Sequence, residues 1–217
     1  MEFKAHQQDI HALSAAADGH TIATCSNDGT IKLWDIRYAS GSQPRLNLSF
    51  HSLDGPSDVA FSPDSRFLAC SFFSGSIHLL DGKTGQLLRE FHTVYQVGIY
   101  CVRFSPDGQT LICSAANKSI YTWDIADLQT VYSPQPIKEL ILHRDSVFHS
   151  LMTTDGRWII SCSEDRSVNF WDAETGEPHL LLEGHTHSVH EMDTGHSSRI
   201  FVTGSEDNTV KVWGYSA

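Results

Sequence analysis

The chain has 217 residues, 40% hydrophobic and 19% charged, and no apolar run reaching the roughly 18 residues that a membrane helix needs. Its 26 acidic and 15 basic side chains give a formal charge of −11, which argues against direct DNA or RNA binding, since phosphate neutralisation carries nucleic-acid affinity. Five widely spaced cysteines are too few for a disulfide scaffold, and Met1–His6 lacks the basic-then-apolar layout of a secretion signal.

Taken in chain order, the sequence repeats itself. The first unit opens at His6, turns at Ala17-Asp18-Gly19, and runs through a strand at Ile22–Cys25. A polar turn, Ser26-Asn27-Asp28-Gly29, leads to a second strand, Ile31–Trp34. Residues 38–49, with Gly, Ser, Gln and Pro, read as an exposed connection. The second unit opens at His51, turns at Pro63-Asp64-Ser65 and ends at Leu79-Leu80-Asp81, with Ser74 where Asp28 stood and Leu80 in place of Trp34. The third opens at His92, turns at Pro106-Asp107-Gly108, carries Asn117 in place of the aspartate, and ends at Trp123-Asp124. An insertion at 126–138, containing Tyr132-Ser133-Pro134-Gln135-Pro136, reads as a surface loop.

The fourth unit restores the full pattern: His143, Thr154-Asp155-Gly156, a strand at Ile159–Cys162, Asp165 in the turn, and Val168–Trp171. The fifth repeats it with His185, Phe201–Gly204, Asp207 and Val210–Trp213. His6 to Asp28, His143 to Asp165 and His185 to Asp207 are each 22 residues, and each aspartate lies six before its tryptophan. The unit ends at 34, 80, 123, 171 and 213 are 46, 43, 48 and 42 residues apart. No stretch shows a 3.6-residue period, so the expectation is all-β.

These residues resemble the WD-repeat family of β-propellers over essentially the whole chain. The resemblance implies five four-stranded blades in one domain, with repeats at about 1–36, 46–81, 88–125, 139–173 and 180–214. Because relatives of the type described below have seven blades, five imply an open arc of an incomplete ring. The alternative is a closed five-bladed ring in which residues 1–5 complete the last blade.

Histidine, serine and aspartate recurring together contain the parts of a nucleophilic triad. An active site needs one such set in one cleft, whereas His6, Asp28 and Trp34, then His143, Asp165 and Trp171, then His185, Asp207 and Trp213 recur around the chain, with Trp123 in the third unit. The resemblance implies a structural network in which the aspartate accepts from the histidine, the histidine from a Ser or Thr, and that hydroxyl from the Trp N–H. The second and third blades are expected to lack it. Cys25, Cys70, Cys113 and Cys162 fall once per repeat with no Cys-x-x-Cys pair, so they read as small strand residues rather than metal ligands. No catalytic residue, metal or cofactor is assigned, and no small-molecule substrate.

Five residues after the opening histidine, repeats one, four and five carry His11, Phe148 and His190, and alignment of repeats two and three by their Pro-Asp turns adds Ser57 and Tyr100. The family carries this position on the upper face, near the central channel, where partners dock. Asn27, Glu164 and Glu206, just before the turn aspartates, point the same way. Aromatic rings flanked by carboxylates suit a peptide-docking surface.

Finer matches single out one branch. Asn169–Asp172, Thr175–Pro178, Leu180–His185, His143–Val147 and Thr153–Gly156 resemble the fungal Tup-type general transcriptional corepressors. That resemblance implies a nuclear, non-enzymatic scaffold whose partners are proteins or peptides: DNA-bound repressors, and histone tails, whose basic charge an acidic surface suits. The alternative is a cytoplasmic assembly scaffold such as a ubiquitin-ligase substrate receptor or a vesicle-coat subunit. A ligase receptor for phosphorylated peptides would want basic pockets, and the expected upper face is His, Tyr, Phe and Glu.

Overall fold

A computed structural model describes residues 2–37, 44–52, 54–93, 95–126, 135–195 and 199–215. Among these residues the chain forms nineteen strands and no helix. The first sheet runs β1 (Ile10–Ala15), β2 (Thr21–Ser26), β3 (Thr30–Asp35), β4 (Arg45–His51), in that order. The second is β5 (Pro56–Phe61), β6 (Phe67–Phe72), β7 (Ser76–Asp81), β8 (Leu87–His92). The third is β9 (Ile99–Phe104), β10 (Thr110–Ala115), β11 (Ser119–Asp124), β12 (Lys138–Ile141). The fourth is β13 (Val147–Met152), β14 (Trp158–Ser163), β15 (Ser167–Asp172), β16 (Pro178–Glu183). The fifth holds β17 (Val189–Thr194), β18 (Ile200–Ser205) and β19 (Val210–Gly214). Each is an antiparallel meander with the strands in sequence order, the arrangement of a propeller blade.

Three of the expectations need correction. Among the described residues the fifth sheet has three strands, not four. Residues 2–9 form no strand, so residues 2–5 do not supply the fourth strand that the closed-ring alternative assigned to the last blade. The connection expected at 38–49 is in part a strand: Leu46, Leu48 and Phe50 alternate along β4, opposite Trp34, Leu33 and Ile31 of β3. Residues 38–43 and 127–134 of the two expected loops lie outside the described residues.

The chain forms two compact units, with the boundary inside β9 between Val102 and Arg103. In the first, Ala23, Cys25, Ile31 and Leu33 of the first sheet pack against Val59, Leu68, Cys70, Phe72 and Leu80 of the second. In the second, Ile112, Ile120 and Leu140 meet Val147, Ile159 and Trp171, and a further cluster joins Leu151, Ile160, Val168 and Phe170 to Val189, Met192 and Phe201. Central strands such as β14 and β15 are therefore buried on both faces, with polar residues such as Ser161 and Asn169 among the apolar ones. The outer strand β4 alternates, with Leu48 and Phe50 half-buried, whereas β16 is exposed except at Leu182.

Turns at one end of the sheets join the second strand to the third. At the β6–β7 turn Gly75 has φ +89°, and a Cβ there would lie 2.6 Å from the carbonyl carbon of Gln96 and 2.7 Å from Val97 O. Both neighbours are backbone and cannot swing aside. Left-handed strain alone costs about 1–2 kcal/mol for an L-residue. Gly75→Ala is expected to exceed that in urea denaturation, and a smaller loss would mean the turn shifts freely.

Candidate functional site

The spacing of 22 residues places each opening histidine over the turn of its own sheet. In the fourth sheet Trp171 Nε1 donates to Ser161 Oγ at 2.9 Å, and that hydroxyl lies 2.7 Å from His143 Nε2. His143 Nδ1 then lies 3.0 Å from the Asp165 carboxylate. Asp165 also accepts from the backbone N–H groups of Arg144 (2.8 Å) and Ser167 (2.9 Å). The first sheet repeats the chain through Trp34, Thr24, His6 and Asp28 at 2.9, 2.8 and 3.1 Å. The fifth does so through Trp213, Thr203, His185 and Asp207 at 2.9, 2.8 and 2.7 Å.

The electrostatics follow from that geometry. Burial pushes the Asp165 pKa up, but hydrogen bonds from His143, Ser167 and the Arg144 N–H outweigh it and hold the carboxyl below its usual range. Asp28 is likewise held low against the burial penalty by Thr30, the Gln7 N–H and His6. For Asp207 the Thr209 hydroxyl contributes most to the same lowering. Burial lowers the pKa of His6 despite Asp28, so its imidazole is neutral at pH 7 and can accept the Thr24 proton. Within this Trp–hydroxyl–His–Asp network every donor has an acceptor. The arrangement locks a turn to a strand.

The second and third sheets lack this network, although the third keeps its tryptophan. Strand register puts Leu80 and Trp123 level with Trp34, and Cys70 and Cys113 level with Thr24. A thiol thus stands where the bridging hydroxyl stands elsewhere. Cys25 and Cys162 lie one residue further along, on the opposite face, so the four cysteines are not one recurring position. All five cysteines are buried, and burial pushes the Cys25 thiol up to about 12. His51 and His92 are exposed at the ends of β4 and β8 and are not counterparts of His6. Counting back from the first strands, that place falls to Ser52 and Tyr95. In the third sheet Asn117 donates to Tyr121 Oη (2.6 Å), and Tyr121 to Glu139 (2.8 Å). Among the described residues no group of three or more His, Cys, Asp or Glu is placed to hold a metal ion.

The residues expected to dock partners share a backbone feature. Ladder pairing skips one residue near the start of the first strand in four sheets, and the skipped residues are His11, Ser57, Phe148 and His190. A β-bulge takes a residue out of the ladder and re-aims its side chain. Tyr100 is likewise second in β9. The side chains there pair with their surroundings unit by unit. In the first, His11 Nε2 lies 2.6 Å from Asn27 Oδ1 and meets the ring of Phe73 edge-on, centroids 5.5 Å apart. Phe73 in turn meets Tyr100 at 6.2 Å, while Ser57 is buried against Ser71 (Oγ to Oγ 2.9 Å). In the second, Phe148 stacks on His190 at 4.7 Å and 11°, and His190 Nε2 lies 3.0 Å from Glu206 Oε1. Glu164 is exposed, its N–H bonded to Ser146 O.

Phe73 is the residue that sequence reasoning missed. It occupies the place of Asn27, Glu164 and Glu206, as its N–H bond to Gly55 O matches theirs to Asp9, Ser146 and Ser188. Counting seven back from Leu80 would have found it, but the second repeat lacks both the aspartate and the tryptophan that mark the place.

Comparison with known proteins agrees with this architecture. The transcriptional repressor rco-1 of Neurospora crassa is 41% identical over 85 residues, 37% of this chain and 14% of that protein. The general transcriptional corepressor TUP1 of Saccharomyces cerevisiae is 37% identical over 79 residues, 34% of this chain and 11% of that protein. The target of rapamycin complex subunit wat1 of Schizosaccharomyces pombe is 25% identical over 174 residues, 80% of this chain and 54% of that protein. The chain thus spans about half the length of wat1 and a much smaller part of the other two. The family described as WD domain, G-beta repeat, matches at residues 1–35, 42–81, 85–124, 134–172 and 176–214. With five matched repeats, each spanning the first three strands of one sheet and, in the last four, the outer strand of the sheet before, the chain belongs to the WD40 family.

Proposed function

We propose that the chain is a non-enzymatic interaction scaffold of the transcriptional corepressor kind, acting in the nucleus and docking DNA-bound repressors through its bulge residues. Histone tails are a second partner class for the same acidic surface. The observation that carries the reading is the set of five positions at the start of the first strands, four of which are bulges that leave the ladders holding the sheets together. Four of those five are His, Tyr or Phe, residues that anchor interfaces well. Partial matches to rco-1 and TUP1, proteins named for transcriptional repression, support the same direction.

The longer match to wat1, named as a complex subunit, favours a second reading as a cytoplasmic assembly scaffold. Affinity capture on the full chain separates the two. Recovery of transcriptional repressors supports the first, and recovery of cytoplasmic complex subunits the second. Tyr100→Ala with Phe148→Ala is expected to cut recovery at least tenfold with an unchanged melting temperature. Undiminished capture by the double variant would remove the docking assignment.

A further inference from the structure

The turn ends of the sheets are not alike, and the first unit departs furthest from the repeat. Where the other turns place Asn27, Glu164 or Glu206, the β6–β7 turn places Phe73, which is 43% exposed. Three glycines hold it up. Gly55 accepts its N–H at 3.0 Å, a Cβ on Gly98 would sit 3.2 Å from its carbonyl oxygen, and Gly75 lets the turn close against Gln96 and Val97. A ring presented to water on a turn fixed this tightly gives up little conformational entropy when a partner covers it. With His11 on one side and Tyr100 on the other it forms a continuous aromatic ridge.

The loops around the ridge are acidic, with Lys4 exposed just before the first of them. The loops at this end, residues 5–9, 27–29, 52–55, 73–75 and 95–98, hold Asp9, Asp28 and Asp54, and no Lys or Arg among their described residues. Asp28 is engaged by His6, whereas Asp9 and Asp54 are exposed. Lys32, the cation tied to these loops, has its ammonium on Ala5 O at 2.7 Å and lies over the ring of Trp34. The corresponding turns of the second unit mix Glu164 and Glu206 with Lys118, Arg144 and Arg166. An apolar anchor point beside exposed carboxylates such as Asp9 and Asp54 attracts a basic segment and repels a phosphorylated or acidic one.

We propose that the His11–Phe73–Tyr100 ridge docks an extended peptide that lays a bulky apolar side chain on Phe73 with lysine or arginine beside it. The inference rests on the docking reading above and names the chemistry of the partner.

Panning a phage-displayed library of random twelve-residue peptides on the full chain tests it. The expected selection is enriched in Leu, Met, Phe or Trp next to Lys or Arg. A selected peptide is expected to bind at least tenfold more weakly to Phe73→Ser and with restored affinity to Phe73→Tyr. Changing its Lys and Arg to Glu is expected to weaken it by a similar factor. Both variants should melt with the parent chain, since Phe73 lies on the surface. Selection of acidic sequences, or equal binding to parent and Phe73→Ser, overturns the inference. If selected peptides ignore Phe73 but are lost on Phe148→Ala, the docking reading stands and only this inference falls. If the parent chain selects nothing, both fall.

Discussion

Trp171→Ala is expected to destabilise the second unit by about 3–5 kcal/mol, the range for truncating a large aromatic in a core. Trp171 is 1% exposed and sits among Ile112, Ile120, Leu140, Val147 and Ile159. Its removal opens a cavity and takes the Nε1–H away from Ser161 Oγ. The two effects can be separated. Trp171→Phe keeps most of the apolar contact and loses only the N–H donor, so it should cost about 1 kcal/mol from that bond plus a smaller cavity. Urea denaturation followed by far-ultraviolet circular dichroism measures both. A loss under 1 kcal/mol for the alanine variant would mean that the packing around Trp171 does not hold the unit together.

The second large effect is at Asp165. Replacement by alanine leaves the His143 Nδ1–H, the Arg144 and Ser167 N–H groups and the Ser167 hydroxyl without their acceptor. A buried donor left unpaired costs about 1–3 kcal/mol, and a loss in that range is expected. Asp165 also titrates. Its pKa is lower in the folded chain than in the unfolded one, so the unfolded state takes up protons first as pH falls. The stability it supplies is complete above roughly pH 5 and drains away through and below the ordinary aspartate value near 4. Asp28 and Asp207 behave alike, and His6, lowered by burial, adds to the loss below its own unfolded value. The melting temperature of Asp165→Asn should therefore fall less between pH 5 and pH 3 than that of the parent chain. Parallel acid profiles would show that Asp165 does not carry the network.

The blades and the hydrogen-bond chain could be read from the sequence because the chemistry fixes distances along it. A histidine that must span one hairpin to reach its aspartate sits 22 residues away, three times over. What escaped sequence reasoning lies where that constraint lapses. Cys70 and Cys113 look like Cys25 and Cys162, yet they stand ten rather than nine residues before the end of their repeat. One residue in a strand exchanges the two faces. Only the pairing shows that they replace Thr24 and Ser161. The strand at Arg45–His51 was hidden by the Gly, Ser, Gln and Pro before it, although its own Leu46-x-Leu48-x-Phe50 alternates as an outer strand should. Phe73 escaped because the second repeat has shed its markers.

The bulges have an evolutionary consequence. Since the skipped residues take no part in ladder pairing, each can be exchanged without disturbing the Asp–His–hydroxyl–Trp chain of its blade. Ser57, Phe148 and the two histidines already show how varied the occupants can be at an otherwise repeated place. Recognition is thereby written in an alphabet separate from the one that spells the scaffold. A duplicated copy of this chain could acquire a new partner by changing one letter per blade while its melting temperature stayed where it was.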